Sequence, residues 1–244
     1  MKDQDMKPGK ISVLIPMYQA EKYIEEAVCS VRRQDGLRPE LIIVDDGSAD
    51  QSAERAEKAL KQYFPDGTAR LVRGPHCGQA AARNTALSLA HGDLIFFLDA
   101  DDVMTPGALA DLLAVFAQDP DTEIACARCR DFISPELTKE EAARLKPQPE
   151  PYQRMLAGCT LIRRAVFDRI GTYDESLPSS ETAQWMLRAQ DAGVCIRYTD
   201  AVTLERRYHN DNFGRRSRQA QLQSYMRIIR QRRGGSGSRE DRDG

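Results

Sequence analysis

Hydrophobic and polar positions in the N-terminal half fall into two alternating patterns. Short continuous apolar runs bounded by turn signals read as strands buried on both faces. Three such runs are Ile11-Ser12-Val13-Leu14-Ile15-Pro16, Leu41-Ile42-Ile43-Val44 and Leu94-Ile95-Phe96-Phe97-Leu98, with a shorter one at Arg70-Leu71-Val72. Pro16 is read as the end of the first strand. Between these runs, apolar residues recur at helical spacing: Ile24, Ala27, Val28 and Val31 predict a helix over 21–33. A second helix is expected over 51–63, capped by Ser48 or Asp50 and broken at Pro65-Asp66-Gly67. A third, Ala-rich helix is expected over 78–91, ended by Gly92. This β-α-β-α-β order with short connections predicts an α/β fold, a doubly wound, mostly parallel, Rossmann-like sheet with right-handed crossovers.

The second half is less regular. A helix is expected over 106–118, a strand over 124–130, a helix over 164–170, another over 181–192 stopped by Gly193, and strands over 194–198 and 202–206. The stretch 131–152 carries Pro135, Pro147, Pro149, Pro151 and many charges, and reads as a mobile excursion. A basic helix is expected over 213–233, strongest at 215–232. Residues 1–10 read as a charged N-terminal tail and 234–244 as a disordered end.

Composition narrows the classes. The chain has 244 residues, 41% hydrophobic and 30% charged, with a formal net charge of −2. This is an ordinary globular balance, with no global case for nucleic acid or membrane binding. No apolar run approaches the roughly 20 residues of a membrane span, and the charged start does not read as a signal peptide. Arginines crowd the C-terminal region, which makes the basic helix there a candidate for peripheral membrane contact. The six cysteines are scattered. Cys126-Ala127-Arg128-Cys129 has zinc-like spacing but no second pair to complete a site, so free thiols in a reducing cytoplasm are expected.

Candidate chemistry begins where the run 94–98 ends, at Asp99-Ala100-Asp101-Asp102. Open α/β sheets bind ligands at the carboxyl ends of their strands. Residues two apart on a strand share a side, so Asp99 and Asp101 would aim at one point. Carboxylates converging there call for a cation, and hard oxygen ligands beside water and phosphate suit Mg²⁺ or Mn²⁺. The same acids also suit helix capping, Asp102 above all, because Thr105-Pro106 is a helix start signal. The second strand ends in acids too, Asp45 and Asp46, and Tyr18 follows the first. A nucleotide fits this set: Tyr18 offers a flat face for a base, a carboxylate accepts a base N–H, and a metal neutralises a diphosphate. Gly78, Arg83 and Asn84, at a helix start on the same edge, add phosphate or ribose contacts. Packing for Tyr18, turn formation for Asp45 and Asp46, and a solvated helix charge for Arg83 are the plainer alternatives.

Four separated stretches together carry a resemblance. Val13-Leu14-Ile15-Pro16-Met17-Tyr18, Ile43-Val44-Asp45-Asp46-Gly47-Ser48-Ala49-Asp50, Gly78 with Ala82-Arg83-Asn84, and Phe97-Leu98-Asp99-Ala100-Asp101-Asp102 are similar to the family 2 glycosyltransferases of the GT-A fold, in the family's order and spacing. The resemblance implies an inverting transfer of a sugar from a nucleoside diphosphate, usually UDP, to an acceptor hydroxyl. It makes Asp99-Ala100-Asp101 the D-x-D metal motif for Mn²⁺ or Mg²⁺ and places Tyr18 and Asp46 on the uracil, with Asp45 nearby and Pro16 shaping the pocket. Residues 11–130 become the nucleotide-sugar half, and 131–212 the acceptor side. There the family often has Glu-Asp before an aromatic-Leu-Arg sequence, whereas this chain has Ser180-Glu181-Thr182-Ala183-Gln184-Trp185-Met186-Leu187-Arg188. Glu181 is therefore the candidate base, with Asp174 and Glu175 next in line. Arg206-Arg207-Tyr208-His209 is similar to a closing segment in which His209 completes the metal site and Arg206 and Arg207 hold the diphosphate. The processive members' Q-x-x-R-W signature is missing, which favours a single transfer. The acceptor, whether glycan, lipid-linked or protein, has no readable code.

Two further classes share these features. A nucleotidyltransferase also uses metal carboxylates on an α/β fold, but normally with a Gly-rich phosphate loop after the first strand, where this chain has Pro16-Met17-Tyr18-Gln19-Ala20. A nucleotide-sugar-binding protein without turnover fits the absence of acids at Thr182 and Gln184.

Overall fold

The computed structural model of the chain describes residues 9–34, 36–153, 157–177, 179–210 and Met226. The expected basic C-terminal helix and the terminal tails lie outside them, apart from Met226 and residues 9–10. In chain order the elements are β1 (Ile11–Met17), α1 (Ile24–Arg32), β2 (Glu40–Asp45), α2 (Ser52–Tyr63), β3 (Ala69–Arg73), α3 (Gln79–Leu89), β4 (Leu94–Phe97), β5 (Val103–Met104) and α4 (Ala108–Gln118). They continue with β6 (Ile124–Ile133), α5 (Lys139–Ala142), β7 (Tyr152–Gln153), β8 (Thr160–Arg163), α6 (Arg164–Ile170), α7 (Glu181–Asp191) and β9 (Ile196–Tyr208).

Among the described residues the strands form one sheet in the order β3-β2-β1-β4-β8-β6-β9-β5, with β7 paired to β6. The first four are parallel, as the apolar runs predict. Successive side chains on a strand point to opposite faces, and both faces here are covered. Val13, Ile15, Leu41, Ile43 and Phe96 pack with α1, α2 and α4. Leu14, Ile42, Val44, Ile95 and Phe97 pack with α3, α6 and α7. The fold is thus α/β and doubly wound.

Past β4 the sheet becomes mixed. β8 runs antiparallel to both β4 and β6, and β5 antiparallel to β9, whereas β6 and β9 are parallel. The two strands expected over 194–206 are one long strand, which pairs with β6 on both sides of a register shift around Cys126–Cys129 that takes up residues 199–201. Pro16 does not end β1, which runs on to Met17 opposite Asp45. Pairing with β4 has already stopped at Leu14, so the missing proline N–H falls where that flank is no longer hydrogen-bonded in register.

The stretch 131–152, expected as a mobile excursion, makes contacts with the sheet. Asp131 is buried and accepts hydrogen bonds from the Tyr152 hydroxyl at 2.7 Å and the Gln148 N–H at 2.9 Å. A Thr138–Glu141 capping box starts α5, and β7 adds to the sheet. Cys126 and Cys129 are buried in β6 as free thiols, the first pushed up to about 12 by burial. Among the described residues no helix is long and apolar enough to cross a membrane.

Candidate active site

The carboxyl ends of β1, β2 and β4 lie side by side, and each strand delivers a different group there. β4 stops at Phe97, so Asp99 and Asp101 occupy a turn, closed by the Asp102 N–H donating to the Asp99 carbonyl at 3.1 Å. Strand alternation therefore does not orient them. The Asp99 carboxylate turns to α3, where Arg83 Nη2 donates to it at 2.7 Å and Gln79 Nε2 at 3.3 Å. The Asp101 carboxylate turns the other way, with His209 Nε2 at 2.9 Å. Ala100, between them, is buried in the core. Asp102 caps no helix, for the N-cap of α4 is Gly107. Its buried carboxylate accepts the Arg207 N–H at 2.9 Å. Burial, with Asp101 and Asp99 close by, pushes the Asp102 carboxyl well above the usual carboxylate range, outweighing that hydrogen bond and the Arg206 charge.

The β2 end is more occupied than its sequence suggests. The Cys77 and Gly78 N–H groups donate to the two Asp46 carboxylate oxygens at 2.7 and 2.9 Å. His76 Nδ1 lies 2.8 Å from Asp46 Oδ2. Asp46 thus clamps the start of α3, an acid at a helix N-terminus, and engages the Gly78 N–H in doing so. Asp45 is buried, and among the described residues only the Ser48 N–H, at 3.1 Å, donates to its carboxylate. Gly47 has φ +75°, and a Cβ there would sit 2.7 Å from the His76 nitrogen, so the turn admits only glycine. Tyr18 is 45% exposed and stacks on His76 at 4.2 Å between ring centroids. Pairing with Val44 carries Pro16 to this same corner. His76 is a residue that sequence reasoning missed, although a histidine two positions before Gly78 was a usable signal.

Arg83 and Asn84, expected as phosphate or ribose contacts, are both engaged with groups of the protein. Asn84 Nδ2 donates to the Tyr173 carbonyl at 3.0 Å and to Glu175 at 2.8 Å, and its Oδ1 accepts the Tyr173 N–H, so it ties α3 to the 173–175 turn. Arg83 is a buried cation rather than a solvated one, its side chain 3% exposed. Nη1 is paired with Glu181 and donates to Thr182 Oγ1 at 2.9 Å, while Nη2 holds Asp99. Burial works against its charge, but Asp99 and Glu181 beside it raise its pKa beyond even the ordinary arginine value.

Glu181 opens α7. The preceding Ser180 adopts a left-handed φ of +64°, and Gln19, next to Tyr18, has φ +48°. Such conformations in non-glycine residues gather at functional sites, held by surrounding structure. For α7 the holding group is Trp185, fully buried, stacked on Phe167 at 4.4 Å and donating to the Gly171 carbonyl at 2.7 Å.

At the end of β9, Arg207 is buried: Nε donates to the Asp101 carbonyl at 2.8 Å, Nη1 to Ser134 at 3.2 Å, and Nη2 pairs with Glu26. Arg206 projects to the other side of the strand. Its guanidinium meets the Tyr152 and Tyr208 hydroxyls at 3.3 and 3.2 Å, and its charge reaches Asp102. Both arginines, expected at the diphosphate, thus make hydrogen bonds within the protein. His209 is buried, its ring 4.6 Å from that of Tyr23.

No three His, Cys, Asp or Glu side chains form a ready-made metal cage among the described residues. The carboxylate and imidazole of Asp101 and His209 are nonetheless a donor pair that fits Mn²⁺ or Mg²⁺, ions that take further ligands from water and phosphates.

Solved structures share this architecture. A mannosyltransferase from Pyrobaculum calidifontis in complex with GDP-Man and Mn²⁺ aligns with a TM-score of 0.71 at 19% identity, over 92% of this chain and 65% of that one. S. aureus TarS 1–349 in complex with UDP aligns with a TM-score of 0.66 at 22% identity, over 84% and 62%. The fold is that of the GT-A glycosyltransferases. Residues 12–171 match glycosyl transferase family 2, and the chain belongs to that family. Among curated relatives, the uncharacterized glycosyltransferase EpsJ of Bacillus subtilis (strain 168) is 29% identical over 196 residues, 73% of this chain and 55% of that protein. The chain therefore spans about half the length of that relative.

Proposed function

We propose that the chain is a metal-dependent, inverting glycosyltransferase that moves a single sugar from a nucleoside diphosphate, UDP first among the candidates, to an acceptor hydroxyl. One observation carries this reading: the acidic turn meets Arg83 with Glu181 on one flank and His209 on the other, at the carboxyl ends of the parallel strands. The family membership and the UDP and GDP-Man complexes of the structural neighbours support it.

Tyr18 presents its exposed ring to the base, and Asp45, whose carboxylate is less occupied than that of Asp46, accepts the base N–H. Pro16 and Gly78 shape the pocket. Asp101 and His209, with Asp99 behind them, hold the Mn²⁺ or Mg²⁺, which when bound neutralises charge on the departing diphosphate. Glu181 takes the proton of the acceptor hydroxyl as its oxygen attacks the anomeric carbon from the face opposite the leaving group. Residues 11–130 serve the donor and 131–212 the acceptor. The test is nucleoside diphosphate release from a panel of UDP- and GDP-sugars with Mn²⁺ and Mg²⁺, alongside calorimetry with UDP. Binding of equal strength in excess chelator would sink the metal-dependent reading.

A second reading is a nucleotide-sugar-binding protein without turnover. The observation favouring it is that Thr182 and Gln184 are not acids and Glu181 is only 5% exposed. Binding of UDP-sugars with no diphosphate release from any of the panel would select it.

A further inference from the structure

We infer that Arg83 is the positioning residue for the candidate base, fixing the direction of the Glu181 carboxylate relative to the acidic turn; the inference rests on the proposed role of Glu181. A carboxylate at the first position of a helix has several rotamers and, left to itself, no reason to face a particular substrate oxygen. Here the Arg83 guanidinium removes that freedom. It is planar, with its N–H directions fixed. Nη2 is tied to Asp99 at 2.7 Å, and Nη1 is shared between Glu181 and the Thr182 hydroxyl at 2.9 Å. The Tyr173 ring lies 5.7 Å from the guanidinium carbon, and Asn84, one residue on, locks α3 to the backbone of that same tyrosine.

Arg83 uses Glu181 Oε1, and no described residue bonds Oε2, which is left to receive a proton. Thr182 reinforces the arrangement. Where a second acid would compete with Glu181 for the cation, a neutral hydroxyl accepts from Nη1 and leaves the charge to Glu181 and Asp99. The base and the donor-side turn thereby share one rigid connector. Lysine cannot replace it, because a single ammonium lacks the fork that reaches two carboxylates in fixed directions.

The experiment compares E181Q, R83K, T182V and the R83K/E181Q double variant, using the UDP- or GDP-sugar that turns over fastest in the panel. Near-ultraviolet circular dichroism and thermal melting confirm folding. R83K is expected to lower kcat by about 10–100-fold, as misplacement of a reacting group does, with donor KM within about threefold. T182V, which buries no charge and guards against a poorly folded R83K, is expected to lower kcat by about 3–10-fold, one lost hydrogen bond. Because Arg83 acts through Glu181, R83K should not lower kcat further once Glu181 is Gln. A crystal structure of R83K should show Glu181 in a new rotamer. Multiplicative losses in the double variant, or an unmoved Glu181 in R83K, would overturn the positioning role while leaving the base in place. Full transfer by E181Q alone would instead overturn the base, and the positioning role with it.

Discussion

Two arginines reach the acidic turn from opposite flanks, each with a side chain 3% exposed. By burial they are indistinguishable. Arg207 uses its donors on a backbone carbonyl, a serine and a surface acid, and lies over the rings of Tyr23 and Phe132 at 5.0 and 4.6 Å. Through those partners Arg207 joins β9 to α1 and the turn, as a pin would. Arg83 uses its donors on two carboxylates, one of them, Asp99, 37% exposed at its side chain. A buried charge is costly unless paired, so both arginines needed partners. The chemistry of those partners, not the burial, separates a pin from a connector between the two acids proposed for the site.

The contrast can be broken at several points. The largest effect is expected at Glu181, where E181Q should lower transfer by about 10²–10⁴, the usual scale for a general base, while calorimetry shows UDP binding nearly unchanged. On the opposite flank D101A should weaken Mn²⁺-dependent UDP binding by about 10–100-fold, as loss of a metal-site interaction does; a titration unaltered by the substitution would remove Asp101 from the site. R207M should cost about 1–3 kcal/mol of stability, the scale for leaving buried groups unsatisfied. In urea denaturation this appears as a lower midpoint at similar slope, and if Arg207 is a pin, the kcat of the remaining folded enzyme changes far less than in R83K.

The smallest effect concerns an acid remote from both flanks. Burial alone would raise the Glu40 carboxyl, but hydrogen bonds from Ser12 and His91 outweigh it and bring it down to about 2 from an ordinary 4.5. A folded-state value below the unfolded one means stability that is present above pH 4.5 and lost as pH falls toward 2. E40Q should flatten that acid limb of the urea midpoint and leave transfer at neutral pH unchanged. An identical acid limb in E40Q would assign it to other carboxylates.

Much of the N-terminal half was legible. The runs at 11–16, 41–44 and 94–98 became adjacent parallel strands because uninterrupted apolar segments need cover on both faces. Acids following two such runs were bound to meet at one edge. Their individual duties were not legible. Asp45 and Asp46 are neighbours in sequence, yet one clamps Cys77 and Gly78 and the other meets Ser48, a difference set by which loop packs against each. The contacts of the stretch 131–152 were not legible, because proline and charge density report local propensity, while the bonds from Tyr152 and Gln148 to Asp131 are contacts between segments.

By itself the sequence determined the alternation of strands and helices, the buried parallel core and the family motifs with Asp99, Asp101 and Glu181 in them. Those follow from hydrophobic periodicity and residue order, which are local. Only the tertiary structure decided that Arg83 stands between Asp99 and Glu181, sixteen and ninety-eight residues away, and that Arg206 and Arg207, adjacent in sequence, face different partners. Pairings at such separations are set by how the layers stack, and a buried arginine takes whichever carboxylates that stacking brings within reach.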